Sequence, residues 1–185
     1  STEDLRNFYP TQVMETGYDI LFFWVARMIM MGLENTGTIP FDTVFLHGLI
    51  RDEQGRKMSK TTGNVIDPIE AIEKFGTDAL RFALTFGTAP GNDSRLSQSK
   101  LEAARNFANK LWNAGRYLFS TLEDIEQKEG FLKNPLREHR EDRWILSELD
   151  RITGEVHNLW VSFQLGEAER VLQDFIWGQY CDWYI

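Results

Sequence analysis

Cysteine is nearly absent from this chain: one residue, Cys181, in 185. A single thiol excludes an intrachain disulfide framework and a cysteine-built metal cluster. It lies in Tyr180-Cys181-Asp182-Trp183-Tyr184, where an inert, buried thiol is the expected role rather than a nucleophile. A reducing compartment fits this usage. Long hydrophobic runs are missing too. The most apolar stretch, Ile20 to Leu33, contains Arg27 and is shorter than the roughly 20 apolar residues a bilayer span needs; it reads as a buried helix. No signal-peptide pattern opens the sequence, so a soluble, cytoplasmic location is expected, with an organelle matrix or stroma left open. Positive charge is in deficit, the formal net charge being −8. That balance excludes a generally adhesive nucleic-acid binder, and any RNA contact must use local patches. No internal repeat or low-complexity tract is present. What remains, 42% apolar and 13% aromatic, describes a globular chain long enough for one large domain or two small ones.

Taken in order, the polar residues Ser1 to Tyr9 read as the lead-in to something already under way. Tyr9 to Glu15 reads as a short strand led by Pro10, and Thr16-Gly17 as a turn. Asp19 can then cap a helix running to about Leu33, which Gly37 and Pro40 terminate. A second strand, Thr43 to His47, completes a βαβ unit and therefore a parallel sheet with crossover helices. Ligands of such sheets bind at the carboxyl ends of the strands. Thr16-Gly17-Tyr18-Asp19 belongs at that crevice.

The most informative stretch follows: Gly55-Arg56-Lys57-Met58-Ser59-Lys60-Thr61-Thr62-Gly63-Asn64. It is a polar, cationic segment bracketed by glycines that can take φ > 0 and act as hinges. Downstream, Asp67-Pro68-Ile69-Glu70 is a helix start, with Asp as N-cap, Pro at the first helical position and Glu to close a capping box. The lysines thus sit on a loop between ordered elements, near the same crevice. Ammonium groups so placed suit a polyanion whose charge moves during reaction, such as a triphosphate losing pyrophosphate. An isolated Lys-x-x-Lys is more often a solvated turn, so the pattern alone does not decide.

Helices are expected from Pro68 to Phe75, stopped by Gly76, and from about Asp78 to Phe86. Gly87 to Asp93 then breaks the chain. Beyond it the pattern is all helical. Leu101, Ala104, Ala108, Leu111, Gly115 and Leu118 form one seam; Ile145, Leu149, Ile152, Val156 and Leu159 a second; Leu165, Ala168, Leu172 and Phe175 a third. Three such helices predict a bundle, with a polar connection over Glu126 to Arg140 that carries Pro135. Trp177, Trp183 and Tyr184 near the end are more aromatic surface than three helices accommodate, as if a bundle were cut short.

Lys57-Met58-Ser59-Lys60-Thr61 resembles the Lys-Met-Ser-Lys-Ser signature of the class I aminoacyl-tRNA synthetases, with Thr61 keeping the hydroxyl of the usual last serine. Phe8 to Thr11, Glu15 to Met28, Leu46 to Asp52, Arg105 to Ala114 and Cys181 to Ile185 extend the resemblance over essentially the whole chain and narrow it to the valyl branch. The resemblance implies a partial Rossmann-type nucleotide-binding half followed by an incomplete helical bundle: α/β plus all-α. Residues 1–86 would be the C-terminal half of the catalytic domain, 87–100 a connection under the tRNA's inner corner, and 101–185 the start of the anticodon-binding domain. It also implies the substrates valine, ATP with Mg2+ and tRNA(Val), no tightly bound cofactor, no bound metal, no membrane partner and a monomer.

Roles carry over by motif position. Lys57 and Lys60 would hold the triphosphate, and the surrounding Met58 and Ser59 belong to the same ATP loop, Met58 as its apolar anchor. Thr16 and Gly17 would approach the ribose of the adenylate, while His47 and Gly48 would lie beside the adenosine; a purely structural histidine remains open. Asp19 would pair with the α-ammonium of valine, against the alternative of a plain N-cap. Ile20 and Trp24 would wall the side-chain pocket, or simply pack in the core. Arg95 and Lys100 would face the tRNA. The family's other signature, His-x-Gly-His, appears nowhere among His47, His139 and His157, and the inserted editing domain is absent. The 185 residues alone are therefore expected to be inactive. A non-catalytic tRNA-binding paralogue, a helical protein-recruiting module and an isoleucyl-type sister enzyme stay open as alternatives.

Overall fold

The computed structural model describes residues 2–123 and 139–185, so the polar connection around Pro135 falls almost wholly outside the described residues. The chain opens with a short helix, α1 (Glu3–Phe8), capped by the Thr2 hydroxyl, which accepts the Leu5 N–H at 3.2 Å. Strand β1 (Thr11–Gly17) and strand β2 (Phe41–His47) pair in parallel, from Thr11 opposite Phe41 to Gly17 opposite His47. Between them the chain crosses over through helix α2 (Ala26–Thr36). Gly37 ends that helix in the left-handed conformation at φ 73°, its N–H bonded to the Leu33 carbonyl at 2.9 Å. The expected βαβ unit with a parallel sheet is present.

Three local expectations are corrected. Thr16-Gly17 is not a turn but the end of β1. Asp19 caps nothing: it lies inside a 3-10 turn, Tyr18–Ile20, that leads through a π-helical stretch, Leu21–Val25, into α2. The apolar run is not buried, since Phe22 is 78% exposed, Phe23, Met30 and Met31 are also exposed, and only Val25 is enclosed. An apolar sequence records a preference for burial, and the elements described here cover one side of the run alone.

Strand β3 (Ile50–Arg51) pairs in parallel with the equally short β4 (Ser94–Arg95). Helix α3 (Pro68–Phe75) begins as its sequence dictates, with the Asp67 carboxylate accepting the Ile69 N–H at 2.8 Å. Helix α4 (Thr77–Thr85) follows directly after Gly76 at φ 94°. These two helices, Leu96 and the start of helix α5 (Gln98–Glu123) enclose one core: Ala71, Phe75, Ala79, Leu80, Ala83, Leu96, Leu101 and Ala104. Met58, from within the lysine loop, and Ile66, just beyond it, pack against this core.

A second core joins helix α6 (Arg140–Val161) to helix α7 (Leu165–Gln173) and its π-helical continuation Asp174–Tyr184, through Ile145, Ile152, Val171 and Phe175. The seams are narrower than expected. Leu111, Leu118 and Leu149 are exposed; on α7 Ala168 is buried as the seam expects, but Val171 rather than Leu172 is buried beside it. The two cores meet along an aromatic series: Phe82 on Phe107 at 5.1 Å, then Phe107 stacked on Trp177 at 6.3 Å between ring centres. At the same joint Thr85 donates to the Glu169 carboxylate at 2.7 Å, and the backbone of Gly166 meets that of Gly87 at 3.2 Å. The molecule is thus mostly helical, with two small parallel sheets, and no helix among the described residues is long and apolar enough to cross a membrane.

Candidate active site at the strand ends and the lysine loop

Parallel pairing brings the carboxyl ends of β1 and β2 side by side, and with them Thr16 against Leu46 and Gly17 against His47. Thr16 is buried. Gly17 is tight: a Cβ there would come within 2.8 Å of the Asp19 carboxylate and 3.5 Å of the His47 ring. The 3-10 turn that follows β1 therefore folds Asp19 back over the strand end. His47 has Nδ1 2.8 Å from the Gly48 carbonyl and Nε2 3.3 Å from Glu15, so both ring nitrogens face oxygen. Gly48 admits the Ala89–Asp93 loop, because a Cβ would overlap the Asn92 carbonyl.

The lysine loop reaches this point from the other side. Lys57 Nζ stands 3.7 Å from Asp19 Oδ2, with both groups open to solvent. Gly55 and Gly63 adopt φ of 80° and 68°, so both brackets use the left-handed freedom expected of them. Between them Lys60 projects outward from an ordered turn in which Ser59 Oγ meets the hydroxyls of Thr61 and Thr62 at 2.9 and 2.8 Å. The geometry gathers Thr16, Gly17, Asp19, His47, Gly48 and Lys57. It leaves Ile20 and Trp24 half-exposed, the Trp24 ring lying 6.0 Å from the Arg27 guanidinium.

Neither residue expected to face tRNA sits free of the fold. Arg95 is exposed, but its guanidinium lies over Gly55, about where a Cβ would reach it at 3.3 Å. Lys100 turns inward, donating to Ser94 Oγ at 3.1 Å. Burial pushes its ammonium pKa down, and burial likewise pushes the facing Glu169 carboxyl up.

The structure adds polar residues for which the sequence reading assigned no role. Asp52, 6% exposed, accepts from the Arg56 N–H, Arg56 Nε and Asn64 Nδ2, each at 2.8 Å. The Asn64 amide foremost, then Arg56, holds the Asp52 carboxyl at about 2, well below the usual carboxylate range. Asp93 accepts the Leu49 N–H at 2.8 Å and pairs with Arg51; the Leu49 N–H foremost, then Arg51, hold its pKa down as well. Their only signal in the sequence was position: each is a polar residue beside a glycine-rich turn, where caps and Asx turns gather. Chemically, the site joins exposed ammonium groups on an ordered loop to a carboxylate and a close-packed glycine at strand ends. That set can hold a polyanion on one side and a small cation on the other.

Comparison with known proteins fits this architecture. The family model described as tRNA synthetases class I (I, L, M and V) matches residues 1–97, and that of the anticodon-binding domain of tRNA ligase matches 142–185. The chain is 63% identical to a valine–tRNA ligase of Dehalococcoides mccartyi (strain CBDB1), over all of this chain and 20% of the relative. It is 55% identical to that of Symbiobacterium thermophilum, again over 20% of the relative, and 50% identical to that of Aquifex aeolicus, over 16%. The chain thus spans about a fifth of the length of the curated relatives it matches. Among solved structures, a Mycobacterium tuberculosis methionyl-tRNA synthetase bound by methionyl-adenylate superposes with a TM-score of 0.75 at 23% identity, over 94% of this chain and 34% of that one. The LeuRS of Agrobacterium radiobacter K84, in a ternary complex with tRNA and LeuAMS, gives 0.73 at 22%, over 92% and 22%.

Proposed function

The chain belongs to the class I tRNA synthetases, and from that premise we propose that it supplies the lysine-loop side of the active site of a valine–tRNA ligase. Its fold is then a partial Rossmann-type half followed by an incomplete helical bundle. Residues 1–86 serve catalysis, 87–100 connect toward the tRNA, and 101–185 begin the anticodon-binding domain. A carboxylate oxygen of valine attacks the α-phosphorus of ATP-Mg, the bond to pyrophosphate breaks, and valyl-adenylate forms. The terminal hydroxyl of tRNA(Val) then attacks the valyl carbonyl, and AMP leaves.

In this reading Asp19 takes the α-ammonium of valine, Ile20 and Trp24 wall its side chain, and Thr16 and Gly17 let the ribose approach. His47 and Gly48 flank the adenosine. Lys57 and Lys60, set by Met58 and Ser59, take the phosphates and counter the charge that develops on the leaving pyrophosphate. Arg95 contacts tRNA, with a smaller share for Lys100, whose ammonium is already engaged. The protein acts as a monomer in the cytoplasm. The observation that carries the reading is the meeting of Lys57 with Asp19, at 3.7 Å, over the ends of two parallel strands.

The test is valine-dependent ATP–pyrophosphate exchange in a full-length ligase frame carrying this segment, with and without Lys60→Ala. A cation that acts chiefly in the transition state should cost roughly 2.7–4 kcal/mol, about 10²–10³ in rate, with ATP affinity little changed. The 185 residues alone, lacking a His-x-Gly-His, should give no exchange. An equal loss of ATP affinity with the chemical step intact would reduce the loop to a binding element.

A further inference from the structure

The lysine loop is not held by its lysines. Its two ends are joined by one side-chain pair, Asp52 and Asn64, which lie outside Lys57–Thr61 on either side. Asn64 uses its whole carboxamide. One N–H goes to Asp52 Oδ2 at 2.8 Å and the other to the Lys57 carbonyl at 3.3 Å. Its oxygen accepts the Ser59 N–H at 3.0 Å and the Thr62 hydroxyl at 2.6 Å. Asp52 is buried, and its other contacts close the near end: it accepts from Arg56 twice, donates its own N–H to the Arg56 carbonyl at 3.0 Å, and its carbonyl accepts the Gly55 N–H at 2.9 Å. A backbone bridge between Arg51 and Lys57 adds to that end.

We propose that Asp52 and Asn64 are a positioning pair that fixes where Lys57 and Lys60 present their ammonium groups to ATP. The inference rests on the adenylate-forming reading above. In that reading neither residue is itself a substrate ligand. Both act by setting the backbone at Lys57 itself and at Ser59, the neighbour of Lys60, and a displacement of about 1 Å at such a point can cost on the order of 10²-fold. The chemistry of the pair is directional: a carboxylate, which only accepts, receives an amide N–H. Each isosteric change breaks it for a different reason. Asp52→Asn turns an N–H toward the donors of Arg56 or Asn64. Asn64→Asp sets a second carboxylate 2.8 Å from the first and removes both donors.

The experiment is ATP–pyrophosphate exchange in the full-length ligase frame for Asp52→Asn, Asn64→Asp and the exchanged double variant, each with its thermal midpoint. Either single change should lower kcat by roughly 10- to 100-fold and leave the KM for valine within about twofold, because Asp19 lies on a different element. The double variant restores an amide-to-carboxylate bond in the reverse sense and should recover at least about threefold over the worse single variant, a coupling that independent sites do not show. Single variants within about twofold of the parent overturn the proposal. So does loss without recovery in the double variant, or loss that tracks the thermal midpoint and raises the KM for valine together. An unmodified frame with no valine-dependent exchange overturns the adenylate-forming reading instead, which separates the two failures.

Discussion

At the scale of single residues, Asp52 has the most exposed consequence in solution. Its carboxyl titrates at about 2 in the fold against 3.8 ordinarily. A depressed carboxylate adds stability that is fully present above the ordinary value and is lost as pH falls through the folded one. In the full chain, the urea-midpoint gap between the parent and Asp52→Asn should therefore be constant above about pH 5 and close progressively from about pH 4 toward 2, since the asparagine carries no charge to lose. A gap that stays constant to pH 2 would detach the Asn64 and Arg56 contacts from the low value. Asp19 teaches the converse. Its sequence setting before an apolar run reads as an N-cap, yet the 3-10 turn gives it no capping bond and leaves it facing Lys57. The choice was not legible because a cap and a ligand carboxylate use the same residue type at the same kind of chain turn.

At the scale of elements, α7 is seated by the absence of a side chain. A Cβ at Gly166 would stand 2.4 Å from the Thr88 nitrogen and 2.6 Å from the Thr85 carbonyl, all of it backbone that cannot swing aside. Gly166→Ala should push α7 off the end of α4, strain the Thr85–Glu169 hydrogen bond and cost about 1–3 kcal/mol, read by urea unfolding. Gly154→Ala, with open space around it on α6, should be neutral or slightly stabilising. The same elements show what was legible. Asp67-Pro68, Gly55 and Gly63, and the break at Gly87 are local chemistry and read correctly from neighbouring residues alone. The burial of Ile20 to Leu33 and the seams through Leu111, Leu118 and Leu149 were misread, because periodicity gives a face but not what covers it. Two-residue strands such as β3 and β4 leave no period to read. The inward turn of Lys100 has no local signal, because the half-buried Glu169 that faces it lies 69 positions away.

At the scale of the molecule, charge sets the terms of RNA contact. A chain of net charge −8 gains no long-range attraction for phosphate, so on the proposed reading tRNA affinity has to come from local cations. Filter binding of the chain to several tRNAs at two salt concentrations should show weak binding that falls steeply with salt, with little preference for the valine acceptor. Tight, salt-insensitive and valine-tRNA-specific binding would mean that a complete reading surface for the anticodon is already present.

The loop from Gly87 to Asp93 has a history implied in its bonding. Its backbone reaches three separate places: Gly87 to Gly166 on α7, Gly91 to the Leu46 carbonyl at 2.8 Å on β2, and, just past the loop, Ser94 to the Leu49 carbonyl at 3.0 Å. Those bonds do not depend on which side chains the loop carries, but they do depend on how many residues separate them. Ala89 and Pro90 are therefore free to drift in identity, whereas one added or deleted residue breaks the spacing of three attachments at once. Descent would be expected to preserve this loop as a measured length punctuated by Gly87, Gly91 and Asp93, the first two at φ of 68° and 75° and the third bonded to Leu49, with the residues between free to vary.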